Sequence, residues 1–262
     1  MKNTVLITGA TGGIGKALCR EFALHGHNIV LVARDNAKLQ ELANELEEKF
    51  KIKTYYIAKD LQKKEAASEI FDECKKAKID ISILCNNAGF GDFGEFLESD
   101  LEKNLKMIDV NISSVVSMCY IFGNEMKKKG SGKILNTASI GSFFPGPFMS
   151  CYYATKAFVL SFSEALAREL KKTGVSVCAL CPGTTDTNFF AVAGANTENS
   201  EILRKFKPAS PEKVAQFAYK SLMKNKTVAV HGSSNRAFVF FQRFLPRKTV
   251  TNVIYKVQKQ RK

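Results

Sequence analysis

Short apolar runs alternate with longer amphipathic segments along the whole chain. The runs are rich in Val, Ile and Leu at successive positions, which is typical of parallel strands buried on both faces. Between the runs, apolar residues recur at intervals of three and four, as in Leu39, Leu42 and Leu46, and this spacing predicts helices. Seven runs predict strands: "TVLIT" (4–8), "NIVLVA" (28–33), "KTYYIA" (53–58), "ISILCN" (81–86), "GKILNTA" (132–138), "VSVCAL" (175–180) and "TVAVHG" (227–232).

The alternation of strand and helix sets the expected architecture. Parallel strands need right-handed crossovers, and these place helices on both faces of a single sheet. The sequence has no low-complexity linker and no internal repeat. We therefore predict an α/β protein with a doubly wound parallel sheet of the Rossmann type. The domain should cover residues 1–235, and a basic amphipathic extension should cover 236–262.

The positive charge of the chain is concentrated near its C-terminus. The sequence has 39 Lys and Arg and 25 Asp and Glu, a net charge of +14. Residues 213–262 contain 12 of the basic residues and no acidic residue, so the rest of the chain is nearly balanced. This distribution argues against a nucleic-acid-binding domain and assigns the basicity to the tail. With no export signal and no run of roughly 18 apolar residues, the pattern predicts a cytoplasmic protein.

The seven cysteines do not form a disulfide or metal framework. Cys178 and Cys181 make a C-x-x-C motif that could be redox-active, but they lie in a predicted strand, where residues three apart point to opposite faces. We therefore expect reduced thiols that mostly pack in the core. The chain has three histidines and no Cys/His cluster, so no metal site is predicted.

A glycine-rich turn follows the first predicted strand. In "LITGATGGIGKAL", Gly9, Gly13 and Gly15 are spaced G-x-x-x-G-x-G. Glycines permit a tight turn, and the N–H groups of the following helix can bind a pyrophosphate. Arg34 follows the second strand, where an acidic residue would favour NAD(H). A cation at this position favours the 2′-phosphate of NADP(H) over the alternative, a solvated residue at the start of a helix.

Seven motifs occur in an order and at distances that resemble the short-chain dehydrogenase/reductase family, in its compact form. The resemblance runs from the first strand to about residue 232. The motifs are "TGATGGIG" (8–15), "KDL" (59–61), "NNAG" (86–89), "MIDVNIS" (107–113), "NTASIGS" (136–142), "YYATK" (152–156) and "PGTTDT" (182–187).

This resemblance implies a catalytic set of Asn111, Ser139, Tyr152 and Lys156. Tyr152 would be the acid/base, and the Lys156 cation would lower its pKa and hold the nicotinamide ribose. Ser139 would bind the carbonyl oxygen, and Asn111 would position a water in the proton path. The implied cofactor-binding residues are Gly9, Thr11, Gly13, Ile14, Gly15, Arg34, Asp60, Asn87, Gly89, Tyr152, Lys156, Pro182, Gly183, Thr185 and Thr187.

Two tyrosines compete for the catalytic role. Tyr152 and Tyr153 lie four and three residues before Lys156, so helical spacing alone allows either to share its face. The Y-x-x-x-K pattern of the family, together with Ser139 thirteen positions earlier, selects Tyr152. Tyr153 is then expected to be a packing residue.

Phenylalanines are concentrated in the segments that the resemblance places around the substrate. These include a substrate loop at about 184–207. Such rings favour a substrate with apolar bulk, such as an acyl chain or a ring system. With Ser139, the predicted pocket residues are Phe90, Phe93, Phe144, Phe148 and Phe189.

The sequence thus predicts an NADPH-dependent carbonyl reductase that acts on a ketone or aldehyde. Its expected binding partner is a small-molecule carbonyl or alcohol substrate. The alternatives are a protein that binds NADP(H) as a sensor without catalysis, or a membrane-peripheral binding protein on the same fold. A homo-oligomer, dimer or tetramer, is also expected.

The C-terminal extension leaves several interpretations open. Val250, Val253, Ile254 and Val257 form one helical stripe among basic residues. Such a helix can dock on its own domain, contact another subunit, or lie on an anionic membrane, here the inner membrane surface. We expect residues 236–245 to pack on the body or a partner subunit, and residues 248–262 to form an exposed basic helix.

Overall fold

The computed structural model describes residues 3–194 and 208–259. Its single sheet has seven parallel strands in the order β3-β2-β1-β4-β5-β6-β7. The predicted doubly wound sheet is confirmed, and each strand end lies within two residues of its predicted position. The strands are β1 (Thr4–Thr8), β2 (Asn28–Ala33), β3 (Thr54–Ala58), β4 (Ile81–Asn86), β5 (Gly132–Thr137), β6 (Val175–Cys181) and β7 (Val228–Val230).

Helices cover both faces of the sheet. One face packs against the first, second and eighth helices, and the other packs against the third, fifth and sixth. The side chains of the five inner strands, β1, β2, β4, β5 and β6, are mostly buried on both faces, as their continuous apolar runs predict. The described helices are α1 (Gly13–Leu24), α2 (Asn36–Phe50), α3 (Ala66–Lys76), α4 (Leu101–Ile108), α5 (Ser114–Lys129), α6 (Ser150–Glu169), α7 (Phe189–Val192), α8 (Pro211–Met223), α9 (Ser233–Phe241) and α10 (Arg247–Gln258).

The strand order reverses between β1 and β4. From β1 the chain moves outward through β2 and β3, and it then returns to place β4 on the other side of β1. Loops leaving the carboxyl ends of the strands at such a switch point diverge and leave a crevice, where ligands of this architecture bind. The glycine-rich turn follows β1, and the "NNAG" motif spans the end of β4 and the turn after it.

A π-helical segment, Asp109–Ser113, joins α4 to α5 in one continuous helical stretch. This stretch, Leu101–Lys129, is long and apolar enough to cross a membrane by length and composition, since an 18-residue window within it has a mean hydropathy of 1.4. Core helices meet the same criterion. Here Met118 and Phe122 of α5 are buried against the sheet, and these contacts identify a core helix.

The C-terminal extension is organised differently from our expectation. Helix α10 docks on the body through Val250, Ile254 and Gln258, which are all buried and lie at intervals of four. One face of the described part of the expected exposed helix is therefore buried. We expected residues 236–245 to pack on the body or on a partner subunit. Most of their large side chains do not pack on the body, and packing on a partner subunit stays a prediction. Helix α9 carries aromatic residues around much of its circumference, and a helix can present only one face to the core, so Val239 alone among its residues is buried.

Candidate active site

The glycine-rich turn and the "NNAG" turn interlock at the switch point. Gly9 has a φ of +64°, and a Cβ there would lie 2.9 Å from the backbone Cα of Ala88. A Cβ on Gly15 would lie 2.0 Å from the carbonyl oxygen of Gly9, so this position also requires glycine. The Thr8 hydroxyl accepts the backbone N–H groups of Asn87 and Ala88, each at 3.0 Å. The two turns therefore form one rigid floor of the crevice.

The N-terminus of α1 fits a pyrophosphate. Its cap residue, Gly12, has an extended backbone, and no side chain caps the helix. Gly12 and Gly13 are exposed, so the backbone N–H groups of the first turn are accessible from the crevice. Thr187 lies against this turn, because a Cβ on Gly13 would approach its Cγ2 to 2.3 Å. The segment after β6 thus reaches across the crevice to the glycine-rich turn.

Arg34 and Asp60 lie at the ends of the two strands beyond β1. Arg34 is exposed immediately after β2, and Asp60 is half-buried two residues after β3. The neighbouring Asp35 is already engaged: its carboxylate accepts the backbone N–H of Lys38 at 3.1 Å and pairs with the Lys38 ammonium at 3.1 Å. These bonds lower the pKa of Asp35, the backbone N–H of Lys38 being the largest cause. Arg34, which directly precedes Asp35, is exposed to solvent at the edge of the sheet where an adenosine ribose would bind.

Lys156 is the buried cation of the site. Its ammonium donates to the carbonyl oxygen of Thr137, at the end of β5, at 2.8 Å, and it lies 5.8 Å from the centre of the Tyr152 ring. A Cβ on Gly89 would lie 3.2 Å from this ammonium and 2.9 Å from Oδ1 of Asn111. Residues from β4, β5, α6 and the π-helical segment therefore converge at one point.

Asn111 ties the loop after β4 to α6. Its Nδ2 donates to the carbonyl oxygen of Phe90 and to the Thr155 hydroxyl, each at 3.0 Å, and its Oδ1 accepts the N–H of Phe90 at 3.2 Å. The side chain is completely buried. It lies in the π-helical segment, and such interruptions of α-helices occur frequently at functional sites.

Ser139 is oriented by a reciprocal pair of hydrogen bonds. Its Oγ accepts the backbone N–H of Gly141 at 3.0 Å, and the Ser142 hydroxyl accepts the backbone N–H of Ser139 at 3.2 Å. The Ser142 hydroxyl in turn donates to the carbonyl oxygen of Lys156 at 2.7 Å. Because the Ser139 oxygen is used as an acceptor, its O–H remains available to donate to another group.

Burial is the main cause of the shifted pKa values of Tyr152 and Lys156. It raises the pKa of Tyr152 to about 12, and the Ser139 hydroxyl opposes this rise. It lowers the pKa of Lys156 to about 8. The expected lowering of the Tyr152 pKa by Lys156 does not appear, because desolvation raises this pKa and only the Ser139 hydroxyl opposes the rise. Tyr152 holds its proton at neutral pH, as a proton donor must.

Tyr153 is a packing residue in the structure. Its ring fills the space left by two glycines: a Cβ would lie 3.1 Å from the ring at Gly141 and 2.3 Å from it at Gly146. Its hydroxyl accepts the side-chain amide of Gln258, in α10. Tyr153 therefore connects the catalytic segment to the C-terminal helix.

Four of the five predicted pocket phenylalanines lie around the crevice. The Phe189 ring lies 5.1 Å from that of Tyr152, and the Phe93 ring stacks on Phe148 at 6.1 Å. Phe90 joins the site through its backbone bonds to Asn111. Phe148 has a φ of +66°, a conformation that residues other than glycine rarely adopt, and its ring also stacks on Tyr255.

The interpretation of Phe144 as a pocket residue needs correction. Its side chain is buried against Val250 and Ile254 of α10, and its ring meets that of Phe238 at 5.2 Å. The reason is the docking of α10, which covers this ring.

Sequence reasoning missed two side chains near the pocket. Tyr255 stacks on Phe148, and Gln258 binds Tyr153. Both belong to α10, and no local pattern indicates where that helix docks.

The C-x-x-C motif does not form a redox pair in the structure. Cys178 and Cys181 are buried in different core clusters, on opposite faces of β6. Burial raises the pKa of each thiol to about 12, so neither forms a thiolate at neutral pH.

Comparison with known proteins agrees with the fold and the motifs. A family model described as "short chain dehydrogenase" matches residues 3–198. The human very-long-chain 3-oxoacyl-CoA reductase is 38% identical over 183 residues, which are 68% of this chain and 57% of that protein. This chain therefore matches little more than half the length of that relative. Sulfoacetaldehyde reductase 2 of Chromohalobacter salexigens is 32% identical over 240 residues, 90% of this chain and 93% of that protein.

Solved structures share the fold over nearly the whole chain. A short-chain dehydrogenase from Sphingobium yanoikuyae, in complex with NADPH, has a TM-score of 0.82 at 28% identity and covers 98% of both chains. A short-chain dehydrogenase/reductase from Burkholderia phymatum, in complex with NAD, has a TM-score of 0.85 at 22% identity and covers 93% of both chains, which shows the fold alone. The seven-stranded sheet, the ordered motifs and the family match lead to one conclusion. This chain belongs to the short-chain dehydrogenase family of oxidoreductases.

Proposed function

We propose that this protein is an NADPH-dependent carbonyl reductase that acts on a ketone or aldehyde with apolar bulk. The observation that carries the proposal is the convergence of Asn111, Ser139, Tyr152 and Lys156 beside the glycine-rich turn. A binding protein would have no chemical need for a phenol that keeps its proton beside a buried ammonium group.

The residues divide the chemistry of carbonyl reduction between them. The nicotinamide cofactor, when bound, supplies the hydride to the carbonyl carbon. Tyr152 donates its phenolic proton to the carbonyl oxygen, and its pKa of about 12 keeps that proton in place until negative charge develops on the oxygen. Ser139 donates a hydrogen bond to the same oxygen and orients it. Lys156 stabilises the negative charge left on Tyr152, and Asn111 holds the loop after β4 against α6.

Further residues fit the role of holding the cofactor. The exposed N-terminus of α1 suits the pyrophosphate, and Asp60 suits the adenine. Lys156 suits the ribose hydroxyls. Arg34 suits a 2′-phosphate, and the ammonium of Lys38 partly offsets the charge of the neighbouring Asp35 carboxylate, which would otherwise repel that phosphate. The family fold occurs with either cofactor, so the preference for NADP(H) rests on Arg34.

The walls of the crevice support an apolar substrate. Phe189 lies against Tyr152, and Phe93, Phe148 and Tyr255 form a stacked series. A small polar carbonyl compound would contact little of this surface. Binding of an acyl chain or a ring system would remove these rings from water, and each buried aromatic side chain contributes roughly 1.5–3 kcal/mol.

A carbonyl screen tests this proposal. Purified protein is mixed with NADPH and a panel of ketones and aldehydes, and the oxidation of NADPH is followed. We expect kcat/KM to be highest for cyclic, aryl or long-chain carbonyl compounds and much lower for small polar aldehydes. Tight NADPH binding without turnover of any compound would favour the alternative of a cofactor sensor.

A further inference from the structure

The turn between α9 and α10 exposes a compact group of large apolar side chains. We call Phe240, Phe241, Phe244 and Leu245 the aromatic turn. Their exposed fractions are 52%, 64%, 73% and 50%. The Phe240 ring lies 5.4 Å from that of Phe241 and 5.6 Å from that of Phe244, so the three rings form one continuous apolar surface. Contiguous exposed apolar surface of this kind marks interaction sites.

Exposed cations lie close to the aromatic turn in the sequence. Arg236, Arg243, Arg247 and Lys248 are all exposed and lie within the same segment. The sequence contains no acidic residue from 213 to 262, so nothing within the extension itself neutralises these charges. The surface thus combines apolar rings with positive charge, which is the composition of segments that bind at a membrane interface.

The aromatic turn could be covered by α10, by a second copy of the chain or by an anionic lipid surface. The positive charges favour the lipid surface. The docking helix α10 already uses its apolar face, Val250 and Ile254, on the body and leaves the aromatic turn projecting. A second copy of the chain bound symmetrically would bring the same four cations to both sides of one interface. An anionic lipid surface instead offers an apolar layer for the rings and phosphates for the cations.

We propose that the aromatic turn inserts into the interface of an anionic membrane, with Arg236, Arg243, Arg247 and Lys248 binding lipid phosphates. This contact differs from the membrane contact expected from the sequence, because Val250 and Ile254 of the apolar stripe of α10 are buried in the protein. The proposal is independent of the proposed catalytic activity.

Vesicle sedimentation with the full-length protein tests the proposal. The probes are phosphatidylcholine vesicles with and without phosphatidylserine, at low and at high salt. We expect binding to the anionic vesicles only, and a decrease at high salt, because the headgroup contacts are screened. The variant Phe240→Ser/Phe241→Ser/Phe244→Ser should lose about tenfold or more of this binding. Its control, Phe96→Ser/Leu97→Ser, removes exposed apolar side chains elsewhere and should bind like the parent.

A second pair of variants tests the charges separately. Arg243→Glu/Arg247→Glu should weaken binding by about tenfold or more, since each cation near an anionic surface contributes to the attraction. Lys171→Glu/Lys172→Glu changes the net charge equally at exposed positions in the turn after α6 and should have little effect. These surface substitutions keep the fold intact, which the thermal midpoint checks.

Three results would overturn the proposal. The first is failure of the parent protein to bind anionic vesicles at low salt, and the second is undiminished binding by the triple serine variant. The third is a change in oligomeric state of that variant without lipid, measured by light scattering, because the aromatic turn would then be a subunit interface.

Discussion

Lys156 places a positive charge where water has little access. Its ammonium has a hydrogen bond to the Thr137 carbonyl, and its pKa falls to about 8 because burial disfavours the charged form. The unfolded chain would bind the same proton with the ordinary pKa of lysine. Burial of this charge therefore lowers the free energy of unfolding below pH 8. This loss of stability disappears as the pH rises toward the ordinary lysine pKa of about 10.5. Such costs are common at functional sites.

We predict that Lys156→Met unfolds at an equal or higher temperature than the parent at pH 7. Removal of the buried charge should stabilise the fold by about 1–2 kcal/mol, after loss of the Thr137 hydrogen bond. The advantage should shrink between pH 8 and pH 10, because the parent sheds its proton in that window. Thermal melts of both proteins at these pH values check this, with exposed Lys172→Met as the control. A clearly less stable Lys156→Met protein at pH 7 would contradict the assignment.

Arg34 is the residue that we expect to favour NADPH over NADH. We predict that the parent binds NADPH more tightly than NADH, and that Arg34→Glu loses or reverses this preference. A charge-assisted bond to the 2′-phosphate contributes about 1.5–3 kcal/mol, which corresponds to a preference of about tenfold to a hundredfold. Titration of both cofactors measures this directly. Lys49→Glu, with the same charge change at the far end of α2, should leave the preference unaltered. Equal affinity of the parent for both cofactors would contradict the role of Arg34.

At the scale of the elements, α10 packs against the segment of the candidate active site between Phe144 and Tyr153. Val250 and Ile254 cover Phe144, Tyr255 stacks on Phe148, and Gln258 donates to Tyr153. Deletion of residues 247–262 would therefore expose apolar surface of the catalytic segment.

Two adjacent residues of α10 offer a matched test of this docking. Ile254 is 9% exposed, and Val253 is 47% exposed. We predict that Ile254→Asp destabilises the protein by about 2–4 kcal/mol and lowers kcat/KM, because a buried carboxylate would force the helix off the body. Val253→Asp should change stability by less than about 0.5 kcal/mol. Denaturant unfolding of both variants measures the difference. Equal effects of the two substitutions would show that α10 does not dock as described.

At the scale of the whole molecule, the sequence predicted the strands of the sheet and the fold class from local pattern. The buried strands appear as continuous apolar runs, and their alternation with helices dictates a doubly wound sheet. The glycines that this fold needs are visible as well, since Gly9 and Gly15 occupy positions where no Cβ fits. The strand order places the switch point between β1 and β4, and the motif residues lie together at the carboxyl ends of the strands.

The docking of the C-terminal extension could not be predicted in the same way. The stripe of Val250 and Ile254 shows that α10 has an apolar face, but the partner of that face depends on tertiary geometry. Hydrophobicity alone also misled us about Phe241 and Phe244, which remain exposed. The raised pKa of Tyr152 was missed for a related reason, since the extent of its burial is set by side chains from distant parts of the chain.

The central claim is that Tyr152 donates the proton in an NADPH-dependent carbonyl reduction. The most direct test measures single-turnover reduction and NADPH binding in the parent, Tyr152→Phe and Tyr153→Phe, with the best ketone from the screen. Loss of a positioned proton donor should slow Tyr152→Phe by about 10²–10⁴-fold while NADPH affinity stays within a few-fold. Tyr153→Phe, which loses only the bond to Gln258, should keep most of its activity. Full activity of Tyr152→Phe, or loss of activity in Tyr153→Phe alone, would contradict the account.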